Sequence, residues 1–119
     1  MMSEIYARGP IACSLNSESP QFNDYKGGIM QCIHGEKCKI KYTDHVIVIA
    51  GWGVEKESGI KYWVGRNSYG TQWGEGPGGG WFRMERGVNL FGLESNQCAW
   101  AQPSATDVNR ILNQYESSL

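Results

Sequence analysis

The sequence predicts a mainly β domain of the α+β kind, built as an antiparallel, barrel-like sheet and followed by a short C-terminal helix. The chain has 119 residues, which suits one domain with a modest core. Its 16 Gly and five Trp are typical of glycine-rich loops between short strands that pack around large rings. Two segments with strand patterns, 45–52 and 60–67, are joined by a polar turn.

These two segments predict an antiparallel hairpin. Residues 45–52 form an almost unbroken apolar run rich in Val and Ile, and residues 60–67 alternate in the manner of a strand. The polar residues 55–59 end in Gly and form the predicted turn. With the turn centred there, His45 falls opposite Asn67 or the two residues after it, so the two side chains can meet. A slip in register would turn one of them to the other face.

A histidine that meets an asparagine has a specific chemical use. A neutral imidazole acts as a general base when its tautomer and ring plane are fixed, and an amide oxygen that accepts one ring N–H fixes both without adding charge. Asparagine suits a thiol hydrolase, because the thiolate already compensates the imidazolium charge. Taken singly, His45 would be a structural residue and Asn67 a turn former. The two segments contain no nucleophile to complete the site.

Both segments resemble motifs of the papain-like cysteine proteases. D-H-V at residues 44–46 is similar to the family's histidine strand, and N-S-Y-G-T-Q-W-G-E at residues 67–75 resembles its N-S-W-G-x-x-W-G-E loop. Y-K-G-G-I at residues 25–29 and G-W-F-R-M at residues 80–84 are similar to two further motifs, in the family's order. The opening M-M-S-E-I-Y-A-R-G-P-I-A-C and the cysteine in E-S-N-Q-C resemble one branch of the family, the X-type (or Z-type) cathepsins.

The resemblance implies a division of the chain near residue 103. Residues 1–103 correspond to the C-terminal, His/Asn-bearing half of a papain-like peptidase domain, which is the right-hand, barrel-like domain of that fold. Residues 104–119 form a C-terminal extension, for which we predict a short helix packed on its own domain rather than on a partner. The prediction depends on a candidate cap at Thr106 and on apolar residues at helical spacing: Val108, Ile111, Leu112 and Tyr115.

The resemblance also implies roles for individual residues. His45 would be the general base and acid, and Asn67 its orienter. Tyr69, which stands where the family has Trp, would shield their hydrogen bond from water. Trp73 would pack behind the loop and, with His45 and Tyr69, wall the cleft on the leaving-group side. Two further residues would border the substrate, namely Asp44 and Val46. No cofactor and no metal are expected.

The chain departs from the family pattern in three respects. The family's nucleophilic cysteine motif, C-G-S-C-W, and its oxyanion-hole glutamine are absent. Tyr69 replaces a tryptophan, and the loop E-G-P-G-G-G at residues 75–80 is longer than the family pattern. We therefore expect a cathepsin-like, cysteine-type peptidase whose nucleophile comes from a first-half domain and whose substrate is a peptide. The chain alone is expected to be inactive, because the nucleophile is missing. The alternative is a non-catalytic papain-like module in a larger assembly.

The four cysteines indicate a disulfide framework. They allow three pairings, and Cys32 lies close enough to Cys38 in the sequence to be linked to it. Cys13 would then join Cys98 between a strand near the start and one near the end, a pairing that the resemblance to X-type cathepsins also implies. Free thiols are one alternative. A metal site is the other, although its spacing fits no common zinc motif; its ligands would be Cys32, His34, Cys38 and His45.

The charge and hydropathy of the sequence restrict the classes of partner and the cellular locations that are expected. The net charge of −1, with no basic cluster, argues against nucleic acid and anionic membranes as partners. No apolar stretch approaches the length of a membrane-spanning helix, and the N-terminus lacks the regions of a signal peptide. The resemblance implies a lysosomal or secreted protein, whereas the sequence as given would not enter the secretory route. We therefore expect it to be a portion of a longer precursor.

Overall fold

A six-stranded sheet dominates the structure, which is a computed structural model. It describes residues 1–33, 42–95 and 98–101, and also residues 104, 106, 109, 110, 113 and 114. The strands are β1 (Ile11–Leu15), β2 (Ile29–Met30), β3 (His45–Val54), β4 (Lys61–Arg66), β5 (Trp81–Glu85) and β6 (Cys98–Ala99). The helices are α1 (Met2–Arg8) and α2 (Pro20–Asn23), with a 3₁₀ turn at Leu90–Gly92.

The strand order is β2-β5-β4-β3-β1-β6. Four neighbouring pairs are antiparallel, and β2 runs parallel to β5, so the mainly β, mostly antiparallel prediction is confirmed. The sheet departs from the expected barrel, because its described strands form an open sheet. The two edge strands, β2 and β6, have two residues each, and they do not pair with each other in the described part of the chain.

The predicted hairpin is formed by β3 and β4. Its turn is closed by the N–H of Glu55 on the carbonyl of Ile60 and by the N–H of Gly59 on the carbonyl of Glu55. Gly59 has a φ of 73°, a conformation that glycine adopts without steric cost. The hairpin therefore has the strands and the turn that the sequence predicts, with β3 two residues longer than expected.

A shift in register between Ile49 and Gly51 divides β3 in two. Before the shift, Ile49 faces the core and Val48 faces away; after it, Trp52 packs against the core and lies opposite Trp63. A β-bulge of this kind exchanges the faces of a strand. Because of it, both halves of a nearly continuous apolar run contribute side chains to the same core.

The hydrophobic core lies on one face of the sheet. Strand side chains such as Leu15, Ile49, Phe82 and Met84 are completely buried there. They are covered by α1, α2, the 3₁₀ turn with the residue that follows it, and the loop between β4 and β5, which contribute Ile5, Phe22, Trp73, Leu90, Phe91 and Leu93. The opposite face of the sheet is more exposed: Val46 keeps 60% and Val48 39% of its accessible surface.

The two ends of the chain contain helix. No pattern in the sequence analysis predicts α1, which buries only Ile5 and has an ion pair between Glu4 and Arg8 one turn apart. The predicted C-terminal helix is present at residues 106, 109, 110, 113 and 114. The apolar residues that predicted it lie outside the described part of the chain.

The predicted pairing of Cys13 with Cys98 is present, with an S–S distance of 2.12 Å. The two residues are directly opposite in the β1–β6 ladder. Cys38 lies outside the described residues, so its pairing with Cys32 stays a prediction. His34 lies there too; within the described ranges no group of three or more His, Cys, Asp or Glu side chains could hold a metal ion. No helix in the described part of the chain has the length and apolar character needed to cross a membrane.

Candidate active site

His45 and Asn67 meet at the open end of the hairpin. His45 is the first residue of β3 and Asn67 immediately follows β4. Nε2 of the imidazole lies 2.8 Å from Oδ1 of the asparagine. The contact that the register made feasible is therefore formed.

The orientation of the Asn67 amide is fixed by its neighbour. The backbone N–H of Ser68 lies 2.8 Å from the same Oδ1 atom. A backbone N–H can only donate, so the atom it meets is the amide oxygen and not the nitrogen. An oxygen with this role accepts from the imidazole as well, so the proton of neutral His45 is on Nε2. Nδ1 has no partner among the described residues and is the atom left to take a proton.

Asn67 is held mainly by backbone contacts. Its N–H donates to the carbonyl of Gly80 at 2.8 Å, and the residue is only 7% exposed. The side-chain Nδ2 is buried and has no acceptor among the described residues. All the anchoring of the amide therefore comes through its oxygen and its main chain.

Two rings contact the imidazole of His45. Tyr69 lies beside it, with ring centroids 5.0 Å apart and planes inclined by 33°. Phe22 meets it edge to face, with centroids 6.1 Å apart and an angle of 67°. Tyr69 is 42% exposed, whereas Phe22 is completely buried. The imidazole thus contacts one exposed ring and one buried ring, and the centroids of these two rings are themselves 6.1 Å apart.

Trp73 is buried behind the loop that carries it. Its indole N–H is shared between the carbonyls of Phe22, at 3.1 Å, and Asn23, at 3.0 Å, and the residue is only 6% exposed. The indole packs behind the loop and against α2, and its expected part in walling the cleft stays a prediction. Trp73 packs against Tyr69 with centroids 5.7 Å apart and supports it from below.

Asp44 and Val46 flank the histidine. Oδ1 of Asp44 accepts hydrogen bonds from the backbone N–H of Ser17 at 2.8 Å and from its hydroxyl at 3.0 Å. The N–H of Asp44 donates to the carbonyl of Leu15. These contacts fasten the beginning of β3 to the end of β1. Val46 points to the opposite face of the sheet from the core and is the more exposed of the two valines there.

An ion pair anchors the loop that follows Asn67. The carboxylate of Glu75 accepts from Arg83 Nε at 2.7 Å and Nη2 at 3.2 Å, and from the N–H of Gly28 at 3.0 Å. Burial alone would raise the pKa of Glu75, but the hydrogen bonds from Arg83 and Gly28 outweigh it and hold the pKa below its ordinary value. The loop is thereby tied both to β5 and to the segment before β2.

Tyr25 closes the same cluster. Its hydroxyl donates to the carbonyl of Gly28 at 2.6 Å and accepts from the N–H of Arg83 at 3.2 Å. Burial is the main cause that raises the pKa of Tyr25 to about 12, so the hydroxyl keeps its proton at any physiological pH. Tyr25 is therefore a permanent donor in this cluster.

The long glycine-rich loop is compact. A Cβ on Gly79 would lie 2.0 Å from the carbonyl oxygen of Thr71, and its φ of 67° also favours glycine. The N–H of Gly80 donates to the carbonyl of Trp73 at 2.7 Å. The loop consequently folds back on the segment that carries Tyr69 and Trp73.

Two residues that support the candidate site were missed by the sequence analysis. Phe22 is the only large apolar residue in the polar stretch 16–24, which was the available signal for a buried anchor. Ser17 gave no signal, because a serine that bonds a carboxylate 27 positions away cannot be distinguished in sequence from any other loop serine. Both lie in a segment without periodicity.

The described geometry is therefore an imidazole oriented by an amide, with no partner for Nδ1 among the described residues. The chain matches a family model described as papain family cysteine protease over residues 1–107. It is 41% identical over 111 residues to cathepsin Z of Onchocerca volvulus, covering 88% of this chain and 33% of that protein. It is 39% identical over 113 residues to dipeptidyl aminopeptidase 1 of Plasmodium falciparum (isolate 3D7), covering 80% of this chain and 16% of that protein.

Two solved structures are similar to this chain as well. A chain from the structural work on the mite allergens Blo t 1 and Der p 1 has a TM-score of 0.72 and 32% identity, over 86% of this chain and 30% of that one. Procathepsin L 3 from the larval midgut of Tenebrio molitor has the same fold, with a TM-score of 0.67 and 24% identity over 83% of this chain and 30% of that one. The chain belongs to the papain family of cysteine proteases. It spans a third or less of the length of these relatives.

Proposed function

We propose that this chain supplies the His/Asn side of a cathepsin-like peptidase site, with His45 as general base and acid and Asn67 as its orienter. The observation that carries the proposal is the 2.8 Å hydrogen bond from Nε2 of His45 to Oδ1 of Asn67. It leaves Nδ1 as the proton acceptor. Tyr69 limits access of water to this bond, and Trp73 supports Tyr69.

The proposed chemistry needs a thiol that this chain does not provide. Cys13 and Cys98 are joined to each other, and no cysteine here has the context of the family's nucleophile. In the assembled site Nδ1 of His45 would take the thiol proton, and the thiolate would attack the carbonyl carbon of a peptide bond. The imidazolium would return that proton to the leaving amine as the C–N bond breaks. Water would then release the acyl group by the same proton transfers in reverse order.

The partner that brings the thiol would be a first-half papain-like domain, and the exposed face of the sheet is the surface offered to it. Ala12, Val48, Arg66 and Trp81 are consecutive cross-strand neighbours on this face. The guanidinium of Arg66 lies 5.0 Å from the centre of the Trp81 ring, and among the described residues no carboxylate pairs with it. An apolar strip with an unpaired cation fits a partner that is itself apolar and carries a carboxylate.

Reconstitution tests this proposal. The chain would be refolded with a separately expressed first-half domain of Onchocerca volvulus cathepsin Z, and hydrolysis of dipeptide and tripeptide amides would be measured together with labelling by a thiol-directed epoxide. We expect turnover from the mixture and none from the chain alone. His45→Ala should lower the rate by about 10²–10⁴-fold. Asn67→Ala should also lower the rate. Its control is Asn109→Ala, which changes an exposed asparagine in the C-terminal extension and should leave the rate unchanged.

The competing function is a non-catalytic module. A complex that forms with the first-half domain but shows neither turnover nor labelling would support it and reject the peptidase role. The same proposal implies where the protein acts. As part of a cathepsin-like peptidase, this chain would act in the lysosome or outside the cell. A binding partner that carries no papain-like cysteine would also favour the module.

A further inference from the structure

Phe22 is the residue at which the aromatic side chains around the candidate site converge. Its ring lies 6.1 Å from that of His45, 6.1 Å from that of Tyr69 and 5.2 Å from that of Trp73. It also contacts two further core rings, those of Phe82 and Phe91. Phe22 is completely buried, so its position is set by packing on all sides.

The backbone of Phe22 is fixed as well. Helix α2 begins at Pro20, whose φ suits the first turn, and the hydroxyl of Ser19 accepts the N–H of Gln21 as an N-cap. The carbonyl of Phe22 accepts the indole N–H of Trp73. Its main chain is therefore bonded to the loop between β4 and β5, while its side chain lies against the histidine.

The sequence analysis expects the amide oxygen of Asn67 to fix the imidazole plane, but a single hydrogen bond restricts that plane only in part. The bond from Nε2 of His45 to Asn67 leaves the ring free to pivot, and a pivot moves Nδ1, the atom that must receive the proton. Tyr69 limits this movement on the solvent side, but it is itself 42% exposed. Phe22 contacts the imidazole edge to face and cannot withdraw, because the core is packed behind it.

We propose that Phe22 is a positioning residue for the His45–Asn67 pair: its ring holds the imidazole plane and thereby the direction of Nδ1. This rests on the proposed role of His45 as general base. Phe22 itself touches neither substrate nor nucleophile. Its effect passes through the imidazole, so the readout must report on that ring and not only on activity.

The test compares Phe22→Leu with Phe91→Leu in the ¹⁵N-labelled 119-residue chain. Phe91 is 4% exposed and contacts Phe22, but it has no ring contact with His45 or Tyr69. The two variants remove the same group from the same core. The measurements are the exchange rate of the His45 Nε2–H with water and the fraction of the Nε2–H tautomer, by NMR. The chain has one other histidine, so assignment is direct.

We expect Phe22→Leu to speed exchange of the Nε2–H by about tenfold relative to Phe91→Leu, which corresponds to about 1.4 kcal/mol of local stability. The tautomer should become mixed in Phe22→Leu only. Equal exchange rates in the two variants would overturn the proposal. Phe22→Met is a second variant, since methionine fills the space without a ring; if the imidazole keeps its single tautomer and slow exchange there, the proposal also fails.

These readouts do not depend on turnover. Faster exchange in Phe22→Leu, combined with an inactive reconstituted assembly, would support the positioning role while rejecting the peptidase function. The opposite result would reject the positioning role alone. In that case the reconstituted assembly is active, but the two leucine variants have the same Nε2–H exchange rate and the same pH profile of the rate.

Discussion

Gly65 and Phe82 are cross-strand partners whose packing leaves no room for a side chain at residue 65. A Cβ at this position would lie 2.1 Å from Cζ of the Phe82 ring and within 2.7 Å of both Cε atoms. Phe82 is completely buried and packs against Phe22 and Trp73. The glycine in β4 therefore allows this ring to reach the base of the candidate site, two residues from Asn67.

Gly65→Ala should destabilise the protein by about 1–3 kcal/mol, because Phe82 cannot move without displacing the rings behind it. Urea unfolding followed by fluorescence measures this. Gly51→Ala is the matched control in the neighbouring strand, since nothing lies within 4 Å of its added methyl group; it should change the free energy of unfolding by about 0.5 kcal/mol or less. Similar losses for both variants would contradict the packing argument.

The Glu75–Arg83 pair should make stability depend on pH in one direction. The folded-state pKa of Glu75 is lowered, so the stability it adds is fully present above its unfolded pKa and is lost as the pH falls through the folded pKa. Glu75→Gln should therefore cost about 1 kcal/mol at neutral pH, a figure reduced for the partial exposure of the pair.

This cost should shrink below about pH 4, where the carboxyl of the unfolded wild-type chain is protonated. Thermal or urea unfolding between pH 3 and 7 measures it, with Glu57→Gln in the exposed β3–β4 turn as control. A difference between wild type and Glu75→Gln that stays constant or grows on acidification would show that the ion pair is not its source.

The Cys13–Cys98 bond should contribute a large part of the stability. It joins residues 85 positions apart, and in the chain-entropy model a loop of this size is worth about 4–5 kcal/mol. Unfolding with and without reductant compares one polypeptide in two states and avoids a buried substitution at Cys13. Because reductant would also break the predicted Cys32–Cys38 bond, the measured loss is the sum for both bonds. Non-reducing peptide mapping of the same sample tests the predicted Cys32–Cys38 bond. Equal stability in both redox states would contradict the prediction.

The hairpin and the His45–Asn67 contact could be predicted because both depend on local rules: the period of two, the polar turn and the register it sets. The bulge between Ile49 and Gly51 could not, because a run that is apolar on both faces carries no signal for the point where the faces exchange. The contact of Trp73 with α2 could not be predicted either. It depends on α2, whose position is set by tertiary contacts of Phe22 and not by any pattern in residues 16–24.

Opposite orientations of two valines in β3 allow a test of the exposed sheet face. Val48 is 39% exposed and belongs to the strip with Arg66 and Trp81. Val54 is 53% exposed, but it follows the register shift and lies on the same side of the strand as Trp52. The same substitution at the two positions therefore changes different faces at similar exposure.

Without a partner, the strip should cause the chain to self-associate or bind a hydrophobic dye, since soluble monomers seldom expose large apolar patches. Val48→Glu should weaken association by about tenfold or more, the equivalent of about 1.4 kcal/mol, because it places a charge in the strip. The new carboxylate lies opposite Arg66 and can pair with it, so folding should survive. Sedimentation at tens of micromolar measures the association, and urea unfolding measures whether the variant keeps its stability. Val54→Glu should associate like wild type. If it disrupts association as strongly as Val48→Glu, this face is not the docking surface. The same conclusion holds if wild type is a monomer that binds no dye.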